Sequence, residues 1–175
     1  MPLRVFLGHG ASGTSASMAP FVQGLRARGV DAVAIDLPKR KAEDALPAFH
    51  QVVPVAASTV VGGHSFGGRV ASLAAAGDDA PYAGLVLFSY PLHPPGAHDK
   101  AGPRTAHWPA IRCPVLLLSG ASDPFARVDL LRDAVRSLPA AELVTYPRLG
   151  HTLKPVLEDA LDRAAAFIGA LHEPG

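Results

Sequence analysis

Six short apolar runs punctuate the chain, at 3–7, 30–35, 59–62, 85–89, 115–119 and 142–146. Most are apolar at nearly every position rather than at alternate ones. A strand of that kind is covered on both faces, as in a parallel sheet between two layers of helices. The intervening segments supply the helices. Met18, Phe21, Val22 and Leu25 fall on one helical face, and Gly29 follows where a C-terminal cap belongs. Residues 42–57 read as a helix made irregular by Pro54. An Ala-rich helix is expected over 67–76, and Leu130, Leu131, Val135 and Leu138 share one face of a helix over 128–137. Pro155 opens the last helix, where its missing N–H costs nothing. Leu157, Leu161, Ala164, Ala165 and Ile168 form the apolar side of that helix. Only residues 90–114, rich in proline and without periodicity, break the rhythm; they read as an ordered loop. The expectation is an α/β protein of about six mostly parallel strands with helices on both faces.

The chain has 175 residues, which at about 100–200 residues per domain makes residues 1–175 a single domain. A domain of this size buries about 70% of its unfolded surface and needs no disulfide or metal staple. With 49% hydrophobic residues and a formal net charge of +1, the composition is the opposite of a disordered chain. No run of Lys or Arg provides a footprint for nucleic acid. Cys113 is the single cysteine; it cannot form an internal disulfide and reads as a small buried residue. The N-terminus lacks the apolar core of a signal peptide, and no stretch reaches the ~18 apolar residues of a membrane span. A soluble cytoplasmic protein without nucleic-acid or membrane partners is expected.

Two glycine-rich turns suggest different chemistries. Gly8-His9-Gly10-Ala11-Ser12-Gly13 satisfies G-x-G-x-x-G after a strand, and Asp36 ends the next strand 23 residues after Gly13. That is the dinucleotide-binding fingerprint, with an acidic partner for the ribose. Gly63-His64-Ser65-Phe66-Gly67 is a G-x-S-x-G between a strand and a helix. There the serine occupies a sharp turn, and side chains at the flanking glycines would collide with backbone.

The rest of the chain favours the second chemistry. Asp123 comes after the strand at 115–119 and His151 after the strand at 142–146. Ser65, Asp123 and His151 are separated by 58 and 28 residues, so each sits at the carboxyl end of a successive strand. The order Ser, Asp, His is that of a serine nucleophile, its orienting acid and its general base. Asp129 is the fallback acid, although it reads better as a first-turn helix charge. The first glycine turn then gains another role: the Ala11 N–H, with that of Phe66, stabilises an oxyanion. Such a mechanism uses neither a metal nor an organic cofactor.

These motifs resemble the α/β-hydrolase superfamily, over nearly the whole chain. The closest likeness is to a small, capless branch related to dienelactone hydrolases, which includes the testis-expressed thirty protein. Besides the elbow with Arg69, it rests on Tyr90-Pro91-Leu92-His93-Pro94-Pro95-Gly96, Arg104-Thr105-Ala106-His107, 120–125 and Gly150-His151-Thr152-Leu153-Lys154. The resemblance implies a minimal α/β-hydrolase fold without a large cap and Ser65, Asp123 and His151 as a catalytic triad. It also implies hydrolysis of small carboxylic esters or thioesters. His9 and His64 read first as residues that fix the two turns. With His93, His107 and Trp108 they are the candidate walls of a substrate pocket, and Arg69 is expected to tie down the 90–114 loop. An apolar loop around Trp108 could also seal a homodimer. Two other functions stay open at this point: a hydrolase-like interaction module without turnover, and a dinucleotide-binding domain.

Overall fold

The computed structural model describes residues 2–171. Six strands form one sheet: β1 (Arg4–Gly8), β2 (Asp31–Ile35), β3 (Thr59–His64), β4 (Gly84–Phe88), β5 (Val115–Gly120) and β6 (Ala141–Tyr146). Their spatial order is β2-β1-β3-β4-β5-β6, and every adjacent pair is parallel. The helices are α1 (Ala19–Arg26), α2 (Ala42–Val52), α3 (Phe66–Ala75), α4 (Ala101–Thr105), α5 (Val128–Val135) and α6 (Leu157–Ala170). The helices pack on both faces of this sheet, and among the described residues no cap domain is added to it.

Alternation within the strands divides the core into two layers. Val5 and Leu7 of β1 join Val60, Val86, Phe88, Leu116 and Leu118 beneath the buried faces of α1 and α6. Phe6 points the other way, with Val61, Leu85, Leu87, Val115 and Leu117, toward α2, α3 and the 90–114 segment. The central strands β3, β4 and β5 are buried throughout, apart from a half-buried His64, which explains their unbroken apolar sequences. The edge strand β6 is not: none of its residues is fully buried.

The chain moves outward from β1 to β2 and then returns across β1 to β3. Strand order therefore reverses between β1 and β3. At such a switch point the connections leave toward opposite faces and open a crevice at the carboxyl ends of the strands. The register sets Gly8 beside Gly63 and Gly120 beside Tyr146, so the loops after β1, β3, β5 and β6 emerge at one edge.

Several boundaries differ from the sequence expectation. The second helix ends at Val52, and Val53 is extended at φ −105° and ψ 116°, because a residue before proline is pushed out of the helical region. Pro47 lies inside that helix instead, where it leaves the Glu43 carbonyl without its usual donor. Pro155 lies in a 3-10 turn, Lys154–Val156, and α6 begins only at Leu157. The 90–114 segment holds α4 and two 3-10 turns, His98–Lys100 and Trp108–Ala110, too short to show periodicity. Gly29 is the expected cap at φ +78°, with the Val30 N–H donating to the Leu25 carbonyl at 3.0 Å.

Candidate active site

Ser65 sits between β3 and α3 at φ 52° and ψ −117°, a conformation that side chains rarely adopt. The turn is this sharp because three backbone segments meet there. A Cβ on Gly63 would stand 2.6 Å from the Gly8 oxygen, and one on Gly67 would overlap the Gly8 carbonyl. The Ser65 N–H donates to the Phe88 carbonyl at 2.9 Å, and the Gly67 N–H donates to the His9 carbonyl at 2.9 Å. The elbow is thus fastened to β4 on one side and to the turn after β1 on the other.

Ser65, His151 and Asp123 form one hydrogen-bonded chain. His151 Nε2 lies 2.9 Å from Ser65 Oγ, and His151 Nδ1 lies 2.8 Å from Asp123 Oδ2. The Asp123 side chain is fully buried, whereas that of His151 is 25% exposed. Asp123 Oδ1 accepts the Phe125 N–H at 2.8 Å, so both carboxylate oxygens have donors. A buried carboxylate in this setting holds the Nδ1 proton and leaves Nε2 to accept from the serine. Asp129 is not in this group; it is exposed and pairs with Arg127.

Phe125, the last residue of the 120–125 motif, belongs to the site although the sequence reading assigns it no role. Its ring lies 4.5 Å from the His151 ring, and its N–H holds Asp123. His64, on the other side, has its ring 5.5 Å from that of His151. Burial, then the neighbouring His151 imidazole, lowers the His64 imidazole from its ordinary value. Phe66 opens α3, and Ala11 lies in the exposed turn after β1. Among the described residues neither of their N–H groups has an acceptor within the chain.

The candidate pocket residues separate. His64 lines a cavity of about 500 Å³ together with Ser12, Phe21, Thr152, Leu153 and Leu157. His9, His93, His107 and Trp108 do not line it. His9 is buried; its Nε2 accepts the Leu37 N–H at 2.9 Å, so its Nδ1 carries the proton and donates to the Gly10 carbonyl at 2.7 Å. His107 Nε2 meets Ser72 Oγ at 2.8 Å on α3, and burial lowers its pKa to about 4. Trp108 is fully buried with its ring edge-on to Tyr90 at 5.0 Å, so it cannot seal a dimer. Arg69 Nη2 donates to Glu43 of α2 at 3.1 Å and makes no hydrogen bond to the 90–114 backbone among the described residues. It is Arg104 that ties that loop, donating to the Pro91 carbonyl at 3.0 Å, while Tyr90 Oη donates to the Arg104 carbonyl at 2.6 Å.

The acidic partner of the first glycine turn is also committed elsewhere. Asp36 accepts the Ser15 N–H at 2.8 Å and the Ser15 hydroxyl at 3.1 Å, which holds its carboxyl below the usual range. No α-helix starts at Gly13; a 3-10 turn, Ser15–Met18, intervenes before α1. Among the described residues no group of three or more His, Cys, Asp or Glu is placed to hold a metal ion. Burial pushes the Cys113 thiol up to about 11, which leaves it a poor nucleophile. No helix among the described residues is long and apolar enough to cross a membrane.

Residues 3–172 match the family model of the alpha/beta hydrolase domain. The chain belongs to the α/β hydrolase family. Among curated proteins no sequence matches this α/β hydrolase. Solved structures that share its fold include a Paleococcus ferrophilus monoacylglycerol lipase, at TM-score 0.80 and 15% identity, covering 96% of this chain and 94% of the lipase. A Thermogutta terrifontis esterase 2 phosphorylated by paraoxon is similar at TM-score 0.81 and 18% identity, over 99% of this chain and 85% of the esterase. The thioesterase domain of the curacin biosynthetic pathway is similar at TM-score 0.73 and 16% identity, over 95% and 90% of the two chains. At these identities the likeness is one of fold.

Proposed function

We propose that the chain is a serine hydrolase that cleaves small carboxylic esters or thioesters through an acyl-enzyme. The observation that carries this reading is the unbroken chain Ser65 Oγ, His151 Nε2, His151 Nδ1, Asp123 Oδ2, with both links under 3 Å and the serine on a strained elbow. His151 takes the Ser65 proton as the oxygen attacks the carbonyl, then gives it to the departing alcohol or thiol. Asp123 orients the imidazole and stabilises its protonated form. The free N–H groups of Phe66 and Ala11 receive the oxyanion, and losing one such donor costs about 10²–10³ in rate. Water then takes the place of the leaving group, with His151 again as base.

The cavity supports a small substrate with an apolar portion. It is bordered by sequence neighbours of the reacting groups: Gly10 beside Ala11, His64 beside Ser65, and Thr152 beside His151. Met18, Phe21, Leu153 and Leu157 give it carbon walls, and Lys154 is its one charged lining residue. Its size falls within the ~300–1,000 Å³ of small-molecule sites. The esterase, lipase and thioesterase neighbours fit the same substrate class. Within the family, the 90–96 string favours kinship with the capless dienelactone-hydrolase-like and testis-expressed-thirty-like branch.

A fluorophosphonate probe should label the native chain at Ser65 and leave Ser65→Ala unlabelled. Against a panel of short-chain esters and thioesters, Asp123→Asn should lower kcat by about 10⁴. A folded native chain that takes no label and turns over nothing on the panel would leave the interaction-module function in its place.

A further inference from the structure

His93 is a buried imidazole that the proposed chemistry does not use, within the string that resembles the capless branch most specifically. It lies past the end of β4, yet its partners belong to the loop that carries Asp123. Its backbone N–H donates to the Phe125 carbonyl at 3.0 Å. Its Nε2 accepts the Arg127 N–H at 3.0 Å. Because Nε2 is an acceptor, Nδ1 carries the proton and donates to the Pro94 carbonyl at 2.8 Å, which fixes the ring in one tautomer. His98 covers the ring edge-on at 4.7 Å.

The acid loop is held differently along its length. Its first part is tied to the β6 side: the Ala121 N–H donates to the Tyr146 carbonyl at 2.8 Å and the Ser122 N–H to that of Leu149 at 2.9 Å. Beyond Asp123 the loop bonds to itself, through Phe125 N–H to Asp123 Oδ1 and Ala126 N–H to the Asp123 carbonyl. Pro124 has no N–H to give. Among the described residues, His93 makes the hydrogen bonds that anchor this second part, 124–127, to another segment of the protein. Phe125, at the centre of that part, both donates to Asp123 and lies against His151.

We propose that His93 is a positioning residue for the reaction: it clamps the Phe125–Arg127 backbone and so holds Asp123 and the Phe125 ring in register with His151. This rests on the reading of Ser65, His151 and Asp123 as a catalytic triad. A displacement of about 1 Å in such an arrangement can cost ~10²-fold in rate. The role concerns the placement of the base, not substrate binding, so it acts on kcat.

The test compares His93→Phe, which keeps an aromatic ring but removes both imidazole bonds, with His93→Gln, whose side-chain oxygen can accept the Arg127 N–H. On an ester that the native chain turns over, His93→Phe should lose about 10–100-fold in kcat per labelled Ser65 with KM within about threefold, and His93→Gln should recover most of it. Counting labelled sites removes any unfolded fraction from the comparison. The low-field proton resonance of the His151–Asp123 hydrogen bond provides a second readout that needs no substrate. It should be sharp in the native chain, weakened or lost in His93→Phe, and regained in His93→Gln. Wild-type kcat in labelled His93→Phe, or an unchanged resonance in that variant, overturns the proposal. If the native chain hydrolyses nothing, the triad reading fails on its own terms, and the resonance still decides whether His93 holds Asp123 against His151.

Discussion

The two glycine-rich turns leave neighbouring strands, β1 and β3, at the same sheet edge, and beyond the Gly8–Gly67 contact that joins them they use their glycines differently. In the elbow, Gly63 and Gly67 face backbone at distances no Cβ can occupy, and Ser65 between them is held at positive φ. In the turn after β1, Gly8 shares the elbow's crowding, since its Cβ would stand 2.9 Å from the Gly67 backbone, but a Cβ on Gly10 would meet His64 Nδ1 at 3.5 Å, an ordinary contact, and one on Gly13 would press most closely on the Ser17 hydroxyl. Neither Gly10 nor Gly13 has a positive φ. The elbow is therefore shaped by its backbone, and the first turn, beyond Gly8, by side chains: His9 bridging to Leu37, and Asp36 holding Ser15. Identical letters in a pattern do not imply identical reasons for them.

Substitutions can break this contrast. The largest effect belongs to Gly67→Ala, whose methyl has only the Gly8 backbone to displace. It should cost about 3 kcal/mol in denaturant unfolding, the upper end for overpacking, and abolish fluorophosphonate labelling. Native-like stability would mean that the elbow is not backbone-limited. Next comes the strain at Ser65 itself. Positive-φ residues cost about 1–3 kcal/mol, so Ser65→Gly should be more stable than Ser65→Ala by about 1 kcal/mol, although both are inactive. Equal melting temperatures for the two variants would show the strain to be absent.

Smaller effects belong to the first turn. Asp36→Ala should destabilise the chain at neutral pH, and the sign of its pH dependence is set by a depressed carboxyl. The contribution is complete above the unfolded carboxylate value, about 3.9, and is lost as pH falls through the lower folded value. Urea unfolding at pH 7 and near pH 3 should show the gap between variant and native chain narrowing; a gap that widens in acid would assign Asp36 another role. Smallest of all, Gly10→Ala should change stability by no more than about 0.5 kcal/mol, in either direction. A loss as large as that of Gly67→Ala would erase the distinction between the turns.

Much of the architecture is legible in the sequence because it depends on local properties. Continuous apolar runs mark β3, β4 and β5, and the strand whose burial its apolar run overstates is β6, where Ala141, Thr145 and Tyr146 lie at a sheet edge. Pro54 does not distort a helix over 42–57: it stops the helix before its own position, and Pro47 is the proline inside. Ser65, Asp123 and His151 can be placed because parallel strands with helical crossovers bring every loop after a strand to one edge. The pocket residues cannot. His93, His107 and Trp108 sit in a segment of turns too short to carry a period, and His93 and His107 find their partners outside it, 34 and 35 residues away.

The sequence by itself determined what requires no knowledge of distant neighbours: the period of the strands and helices, the glycines without which the elbow cannot turn, and the order of three reactive side chains along the sheet. The tertiary structure alone decided the partners of the other imidazoles. His9 bonds across 28 residues, His93 across 34 and His107 across 35, while His64 borders the cavity. An imidazole offers one donor and one acceptor wherever it stands. Which groups meet them is fixed only when the chain has returned to the same edge of the sheet, and that return has no local signature in the residues beside it.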